Sequence, residues 1–336
     1  MPRIAILSVA HIHARSFCEQ LMKNTPEGGA YVIWDDQASR GQAYAEQYNS
    51  RFEPNLELVL GDSSIDGFII TAENTRHWPL LEKVLALGKP VMCEKPLGTT
   101  VQEISAISAM VKRFNTPLCS GYFMPFSGEG QAIREIVEKG ELGKITHVAH
   151  RNAHHAAYGK WFDKPELAWF ADKELAGGGA LLDLGTHSVH YLRSLFGPVN
   201  KVWATVTNLS GNYAAVDDYG QIMLQFANGI LGRVEAGWSQ QAGPTGLEIC
   251  ASKATLFKSQ NTMCITSPGA EPSIVNAAQP LPDRINRLLA LIAGSIDEAT
   301  WKADLACCLD AVSIMAATYR SAESGTWQSC DHATDL

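Results

Sequence analysis

The residues whose types and spacing could do chemistry gather in one stretch, GGGALLDLGTHSVH, residues 177–190. Asp183, His187 and His190 follow one another at intervals of four and three, which puts their side chains on one face of a helix. Leu181, Leu182, Leu184 and Val189 fill the rest of the turn. A carboxylate and two imidazoles on one stripe read as an acid/base or ligand face beside a bound small molecule. The plain alternative is a solvated helix surface, or a satisfied pair of core histidines. The glycine triplet favours the first reading, because small residues let another molecule come close to the backbone.

Such a face must be positioned by something. Short apolar runs at 4–9, 31–34, 66–71 and 90–93 alternate with helical patterns at 14–23, 39–48 and 78–87. That alternation predicts βαβ units and a parallel sheet buried on both faces. A last apolar run, PLCSGYF, leads into a hinge at 121–126, a helix at 131–139 and a strand at 144–151. Residues 152–176 read as loop and carry His154, His155, Trp161 and Trp169. Aromatics with a few polar groups suit a sugar or polyol pocket and equally suit interdomain packing. Runs at 199–208, 219–227, 230–239 and 247–252, with Asn228-Gly229 as a hairpin turn, predict an antiparallel meander. Pro280 to Pro282 is a turn or linker, and a helix at 299–322 with Leu305, Leu309, Val312, Ala316 and Tyr319 on one face closes the chain. The expectation is an α/β protein. Residues 1–122 form a Rossmann-like dinucleotide-binding domain, and residues 123–336 an α+β domain on a large, mostly antiparallel open sheet.

A dinucleotide-binding turn after the first strand would place its GxGxxG glycines at 8, 10 and 13, where this chain has Ser8, Ala10 and His13. The first two are small, and the third departs clearly. Asp35, at the end of the second strand, could accept both ribose hydroxyls and repel a 2′-phosphate, although Arg40 could swing to one; a helix N-terminal acid is the competing reading. His11 and His13 also support a rival. An HxH pair ending a first strand, joined by Asp183 and His187, could make the zinc centre of a metal-dependent hydrolase on a β/α barrel. That barrel needs eight βα units, and the chain shows about four.

Residues 88–100, GKPVMCEKPLGTT, resemble the EKP signature of the Gfo/Idh/MocA oxidoreductases, the glucose–fructose oxidoreductase and inositol dehydrogenase family. ITAENTRH resembles that family's TPNxxH loop through Asn74 and His77, with Glu73 in place of Pro. GGGALLDLGTHSVH resembles its GGGxxxDxGxHxxD segment through Asp183 and His187, with His190 where Asp is usual. Pro125 stands where the family's GYxxRF pattern has Arg. The resemblance implies an NAD(P)-dependent dehydrogenase or reductase acting on the CH–OH group of a sugar, polyol, inositol or related compound. It implies Lys95 as the donor to the substrate oxygen, His187 as acid/base and Asp183 as the group that orients it. The cofactor, NAD with NADP possible, would meet Ser8, Ala10, His11, His13, Asp35, Arg40, Ala72, Asn74, His77, Glu94 and Lys95. Substrate would meet His154, Trp161, Trp169 and His190. A homodimer or homotetramer through the C-terminal sheet is also implied. This reading carries no metal. A third reading is a non-catalytic nucleotide-binding sensor on the same fold.

The residues of EKP agree with that role. The strand ends at Cys93 and Pro96 stops it, so Lys95 is offered at the carboxyl edge of the sheet, where open α/β sheets bind ligands. Composition narrows the partners. A net charge of −8 argues against nucleic acid, which needs a basic face. No window reads as a membrane span, and MPRIAILSVA reads as a first strand rather than a signal segment. Eight scattered cysteines without a CxxC pair suit a reduced, cytoplasmic setting.

Overall fold

Ile4–Leu7 (β1) is apolar at every position, so it needs cover on both faces and partners on both edges. The computed structural model, which describes residues 2–24 and 30–332, supplies both. β1 lies between Val32–Trp34 (β2) and Gly67–Ile70 (β4), parallel to each. Arg51–Phe52 (β3), too short to be seen in the sequence, extends the β2 edge; Val91–Cys93 (β5) and Leu118–Ser120 (β6) extend the other. The order is β3-β2-β1-β4-β5-β6. Strand order reverses between β1 and β4, and the crevice at the carboxyl ends of those strands is the ligand position of such sheets. Helices Ala14–Asn24 (α1), Ala38–Gln47 (α2), Leu56–Leu60 (α3), His77–Leu85 (α4) and Val101–Phe114 (α5) complete the first half. A capping box of Thr100 and Glu103 opens α5 and ends the EKP segment.

After Gly128–Glu138 (α6), Ile145–Ala153 (β7) enters a second sheet. Its other main strands are Val199–Thr207 (β8), Tyr219–Phe226 (β9), Leu231–Gly237 (β10), Gly246–Ala251 (β11), Thr255–Ser259 (β12) and Thr262–Thr266 (β13), with two-residue strands Ser273–Ile274 (β14) and Gln328–Ser329 (β15) at its edges. The expected meander is only part of it. β7 sits in the middle, antiparallel to β11 but parallel to β10, so the sheet is mixed. In β9, Ile222, Leu224 and Phe226 point inward, while Gln221 and Met223 face out. Thr186–Phe196 (α8) and Glu298–Ser324 (α10) cover the inner face, and Lys173–Ala176 (α7) is a single turn before the glycines.

Helices α3, α5, α7 and one late in the chain were not expected from the sequence. Arg284–Ile292 (α9) follows the proline linker, and it packs back on β5, β6 and α1. Its apolar side, Ile285, Leu288 and Leu291, is buried there.

The glycine triplet has a different use from the one its sequence suggested. The chain itself comes close to these glycines. Gly177 takes the left-handed conformation at φ +76°. A Cβ on Gly178 would stand 2.5 Å from Tyr319 Oη, and one on Gly179 would collide with the Asp217 backbone. Asp217 in turn accepts from Gly179 N and Leu181 N at 2.9 and 2.8 Å. The glycines thus let the segment that carries Asp183 dock on the second sheet. Gly179→Ala is expected to cost on the order of 1–3 kcal/mol or more, through overpacking against rigid backbone. Equilibrium unfolding of the variant beside wild type and Gly61→Ala, whose added methyl at an exposed helix end would meet nothing closer than Glu57 O at 3.2 Å, would measure it, and unchanged stability would contradict this account.

Candidate active site

The first half offers Lys95. Glu94 N still donates to Ile70 O at 2.9 Å, continuing the β4–β5 ladder, and the chain then turns away. Lys95 therefore leaves the carboxyl edge of the sheet, and its side chain, only 3% exposed, crosses to the second half. Its Nζ donates to Asp183 Oδ1 at 2.7 Å and to the Asp183 carbonyl at 3.0 Å. Asp183 Oδ2 accepts from Trp238 Nε1 at 3.1 Å.

The second half does not present a plain α-helical stripe. Leu181–Gly185 is one wide π-type turn leading into α8. Such turns free carbonyls from the helical ladder and recur at functional sites. Here the freed carbonyls find side chains: Asp183 O takes Lys95, and Leu184 O accepts from Asn152 Nδ2 at 3.1 Å. Asp183 and His187 face the junction between the halves. His190 lies one turn deeper. Its ring stacks on Tyr122 at 3.9 Å, and its Nε2 lies 3.6 Å from Cys308 Sγ. It is a core residue away from the cavity, so the expectation that it meets substrate is corrected.

A cavity of about 220 Å³ opens where the halves meet. His11, His13, Lys95, His154, Asp183 and His187 contribute polar groups to its lining, and Ile12, Trp161, Phe162, Leu167, Phe170 and Leu184 contribute apolar ones. His154 and Trp161 stack at 4.8 Å and stand at the wall as expected. Trp169 does not. It stacks on Phe170 at 3.8 Å and donates to Ala10 O at 3.2 Å, behind the wall. Larger grooves exist on the outer sheet face and beside Tyr319, and neither gathers these groups.

The electrostatics follow from burial. Burial, with Lys95 adding to it, holds the His187 imidazole well below its ordinary pKa, so it is neutral at neutral pH. Its Nδ1 has no hydrogen-bond partner among the described residues. Burial alone would raise Asp183, but the Lys95 ammonium outweighs it and keeps the carboxylate ionised. Glu94 is also held well below its usual range despite burial, chiefly by His13 and His11. A neutral imidazole, an ammonium and a carboxylate around one cavity can take up a proton, hold an alkoxide-like oxygen and fix orientation.

The residues expected at a dinucleotide divide into those that face a ligand and those that hold the frame. Ser8 adopts φ +65°, the left-handed conformation that the first glycine of the motif normally supplies. Ala10 is buried and adds only a methyl group. His13 leans away from the turn, with Nδ1 3.0 Å from Glu94 Oε1. The N-terminus of α1 beside this turn fits a pyrophosphate. Ser8, Trp34, Asp36, Ala72, Arg76, Pro79 and Leu80 line a separate cleft of about 240 Å³, whose largely apolar walls fit an adenosine. Asp36, not singled out from the sequence, is the acid in that cleft. Asp35 is turned inward and accepts from Val9 N and Gln37 N at 2.7 Å and from Arg40 Nε at 3.0 Å. Arg40 also pairs with Asp36 at 2.9 Å and Glu73 at 3.5 Å. Asn74 donates to Ala176 O at 2.9 Å, and His77 bridges Pro96 O at 2.7 Å and Ala72 O at 3.0 Å. Both tie loops together instead of pointing into either cavity. Arg284 was also missed. It donates to Gly121 O at 3.2 Å and covers the Phe123 ring at 4.6 Å, beside the position where Pro125 replaces an expected Arg.

The Rossmann sheet, the EKP lysine and the DLGTH turn now meet in one place. Residues 3–122 match the family model described as "Oxidoreductase family, NAD-binding Rossmann fold", and residues 131–257 match "GFO/IDH/MocA C-terminal domain". The chain belongs to the Gfo/Idh/MocA oxidoreductase family. It is similar to the rhizopine catabolism protein MocA of Rhizobium meliloti, 27% identical over 54% of this chain and 58% of that protein. It is similar to 1,5-anhydro-D-fructose reductase of Ensifer adhaerens, 24% identical over 68% of each, and to scyllo-inositol 2-dehydrogenase (NAD(+)) of Bacillus subtilis, 23% identical over 81% of this chain and 79% of that one. The match therefore spans a little over half the length of the first relative. Levoglucosan dehydrogenase, solved with NADH and L-sorbose, shares the fold at a TM-score of 0.79, with 19% identity and all of both chains covered. An Agrobacterium radiobacter oxidoreductase in complex with NAD+, L-tartaric acid and magnesium does so at 0.79, with 18% identity and 98% of each chain covered. An open, doubly wound sheet also removes the β/α barrel that the hydrolase reading required, and Asp183 is paired with Lys95 instead of joining His11 and His13.

Burial brings His190 to a pKa of about 3 and His150 to about 4, each neutral in the folded chain. Below an unfolded pKa of about 6.5 the unfolded chain takes up protons that the fold refuses. Stability is therefore expected to fall as pH drops through 6.5 toward 4, by about 1.4 kcal/mol per pH unit for each such histidine. His190→Phe removes one of these terms, and its unfolding free energy should decline less steeply over that range. An unchanged slope in pH-dependent unfolding would contradict the assignment.

Proposed function

We propose that the protein is an NAD-dependent dehydrogenase or reductase acting on a hydroxyl-bearing carbon of a small sugar, polyol, inositol or related compound. The observation that carries this reading is the buried Lys95–Asp183 pair, which closes one side of a 220 Å³ cavity together with the neutral imidazole of His187. The size suits a single ring. The similarity to sugar and inositol oxidoreductases supports the same class.

Nicotinamide, when bound, supplies the hydride acceptor or donor. The chain's part is to hold the substrate and move its proton. His187 takes the hydroxyl proton in oxidation and returns it in reduction; being neutral, it is ready as a base without first losing a proton of its own. Lys95 donates to the substrate oxygen as charge grows there, and Asp183 keeps that ammonium aimed. His154 and Trp161 border the substrate. Ser8, Ala10, Ala72 and the start of α1 hold the dinucleotide, with Glu94, His11 and His13 at its inner end and Asp36 at the adenosine ribose. Arg40, Asp35, Asn74 and His77 keep these loops in place. A cytoplasmic setting and a homodimer or homotetramer built on the outer face of the second sheet complete the reading. Met223 and Leu231 are exposed on that sheet, and no helix among the described residues is long and apolar enough to cross a membrane.

Two outcomes are expected. Lys95→Met and His187→Asn should each lose roughly 10²-fold or more in turnover while binding NADH nearly as wild type does. Steady-state assays over a panel of sugars and inositols, paired with NADH fluorescence titration, check this; a folded, fully active Lys95→Met would remove the lysine from the mechanism. Asp36 and Arg76 line the cleft, and Asp35, Glu73 and Arg40 pair with them or with one another behind it, so a 2′-phosphate enters net negative surroundings. NADH should bind more tightly than NADPH, and Asp36→Ala should narrow the ratio by about tenfold. Tighter NADPH binding by the wild type would reverse the assignment of that carboxylate.

A further inference from the structure

We propose that Arg284 positions the acid/base His187, acting through the ring of Phe123. The inference rests on the reading of His187 as the group that moves the substrate's proton. An imidazole with that task is ordinarily held by a hydrogen bond to its second ring nitrogen. The Nδ1 of His187 is instead buried without a partner among the described residues. Asp183, the group expected to orient it, gives one oxygen to Lys95 Nζ at 2.7 Å and the other to Trp238 Nε1 at 3.1 Å.

Two aromatic rings hold the imidazole in place of a hydrogen bond. Tyr122 meets it edge-on, with centroids 5.6 Å apart and planes at 89°, and Phe123 meets it at 5.5 Å and 63°. Contacts of this geometry favour one ring orientation over others. Tyr122 is itself fixed, since its hydroxyl lies 2.6 Å from Thr186 Oγ1 and its ring stacks on His190 at 3.9 Å. Phe123 is half-buried and has no polar atom with which to fix its ring. Its cover is the Arg284 guanidinium, 4.6 Å from the ring centroid and so within the range of a cation–π contact.

The guanidinium is tied down in turn. Arg284 Nε donates to Gly121 O at 3.2 Å, two residues before Phe123, so one side chain grips both the backbone and the ring of this segment. Its own backbone is left-handed at φ +44°, a conformation that side chains other than glycine's rarely adopt. Such a residue persists where its surroundings over-determine it, and residues of this kind recur beside functional sites. The surroundings here are α9, whose Ile285 and Leu288 are buried where the helix packs on β5, β6 and α1. Arg284 acts by packing and not by charge. The ionisation of His187 is set by burial first, then by Lys95, Asp183, His13 and Glu94. Loss of Arg284 therefore changes where the imidazole points and leaves its protonation where it was.

The experiment uses the full-length protein labelled with 13C at histidine Cε1. The His187 and His190 resonances are assigned by their loss in His187→Asn and His190→Phe. Arg284→Met and Phe123→Leu should each shift or broaden the His187 resonance and leave that of His190, which reports the core, in place. With a substrate found in the panel of sugars and inositols, either variant should lower kcat by about tenfold and keep KM and NADH affinity within about twofold, because a misplaced base impairs the chemical step and not binding. The double variant should lose no more than a single one, since both changes break the same path. Arg284→Lys, which keeps a cation over the ring, should recover most of the rate, and the midpoint of the pH–rate profile should not move. Additive losses, a rise in KM in place of the fall in kcat, a His187 resonance indifferent to Arg284→Met, or equal disturbance of both resonances would overturn the proposal. A wild type without turnover on any substrate would overturn the dehydrogenase reading instead, and the His187 resonance would still decide whether Arg284 holds that ring.

Discussion

The ion pair between Lys95 and Asp183 is the constraint on which the rest of the site depends. Lys95 is buried and Asp183 largely so, and a lone charge in such a place is costly to desolvate. The desolvation of each is offset only because Nζ, Oδ1, the Asp183 carbonyl and Trp238 Nε1 meet with good geometry. Those partners come from a strand end in the first half, a wide turn in the second and the end of β10. Removing either charge leaves the other uncompensated in the junction. The pair thus sets how the halves meet. Burial chiefly keeps the neighbouring His187 imidazole neutral, with Lys95 adding to it and Asp183 opposing it.

A second network holds the dinucleotide turn without glycine. Ser8 takes a left-handed backbone and aims its hydroxyl at Asp35 at 3.3 Å, while Asp35 gathers Val9 N, Gln37 N and Arg40. The carboxylate that the sequence offers to a ribose is thereby committed to the turn. Its neighbour Asp36, one residue later, lines the cleft instead. Polar bonds have replaced conformational freedom as the means of keeping the turn tight.

Much of the fold could be read in advance because its signals are local. Apolar runs bounded by helices gave the parallel sheet, and EKP together with DLGTH brought Lys95, Asp183 and His187 to one site. The unread parts depend on contacts distant in sequence. β3 has two residues and no pattern of its own. α9 shows helical amphipathicity, but only its packing on β5 and β6 says which half it serves. His190 shares the helical stripe of His187, and nothing local reveals that Tyr122 and Cys308 cover it. Trp169 and Trp161 look alike in sequence, yet one supports the wall and the other forms it. The glycine triplet was read as room for a ligand, when the occupant is the backbone of Asp217, nearly forty residues on.

The cavity's lining bears on what it can accept. His11, His13, Lys95, His154, Asp183 and His187 offer polar atoms, and Ile12, Trp161, Phe162, Leu167, Phe170 and Leu184 are apolar. The two kinds are interleaved: His154 stacks on Trp161 at 4.8 Å, and the His11 and Phe170 rings lie 5.6 Å apart. A ligand there meets hydrogen-bonding groups beside aromatic surface, and each buried hydroxyl left without a partner is costly. Aromatic and aliphatic surfaces orient a ring without flexible polar side chains, so the polar groups are left to fix its hydroxyls while the apolar ones take its C–H surface.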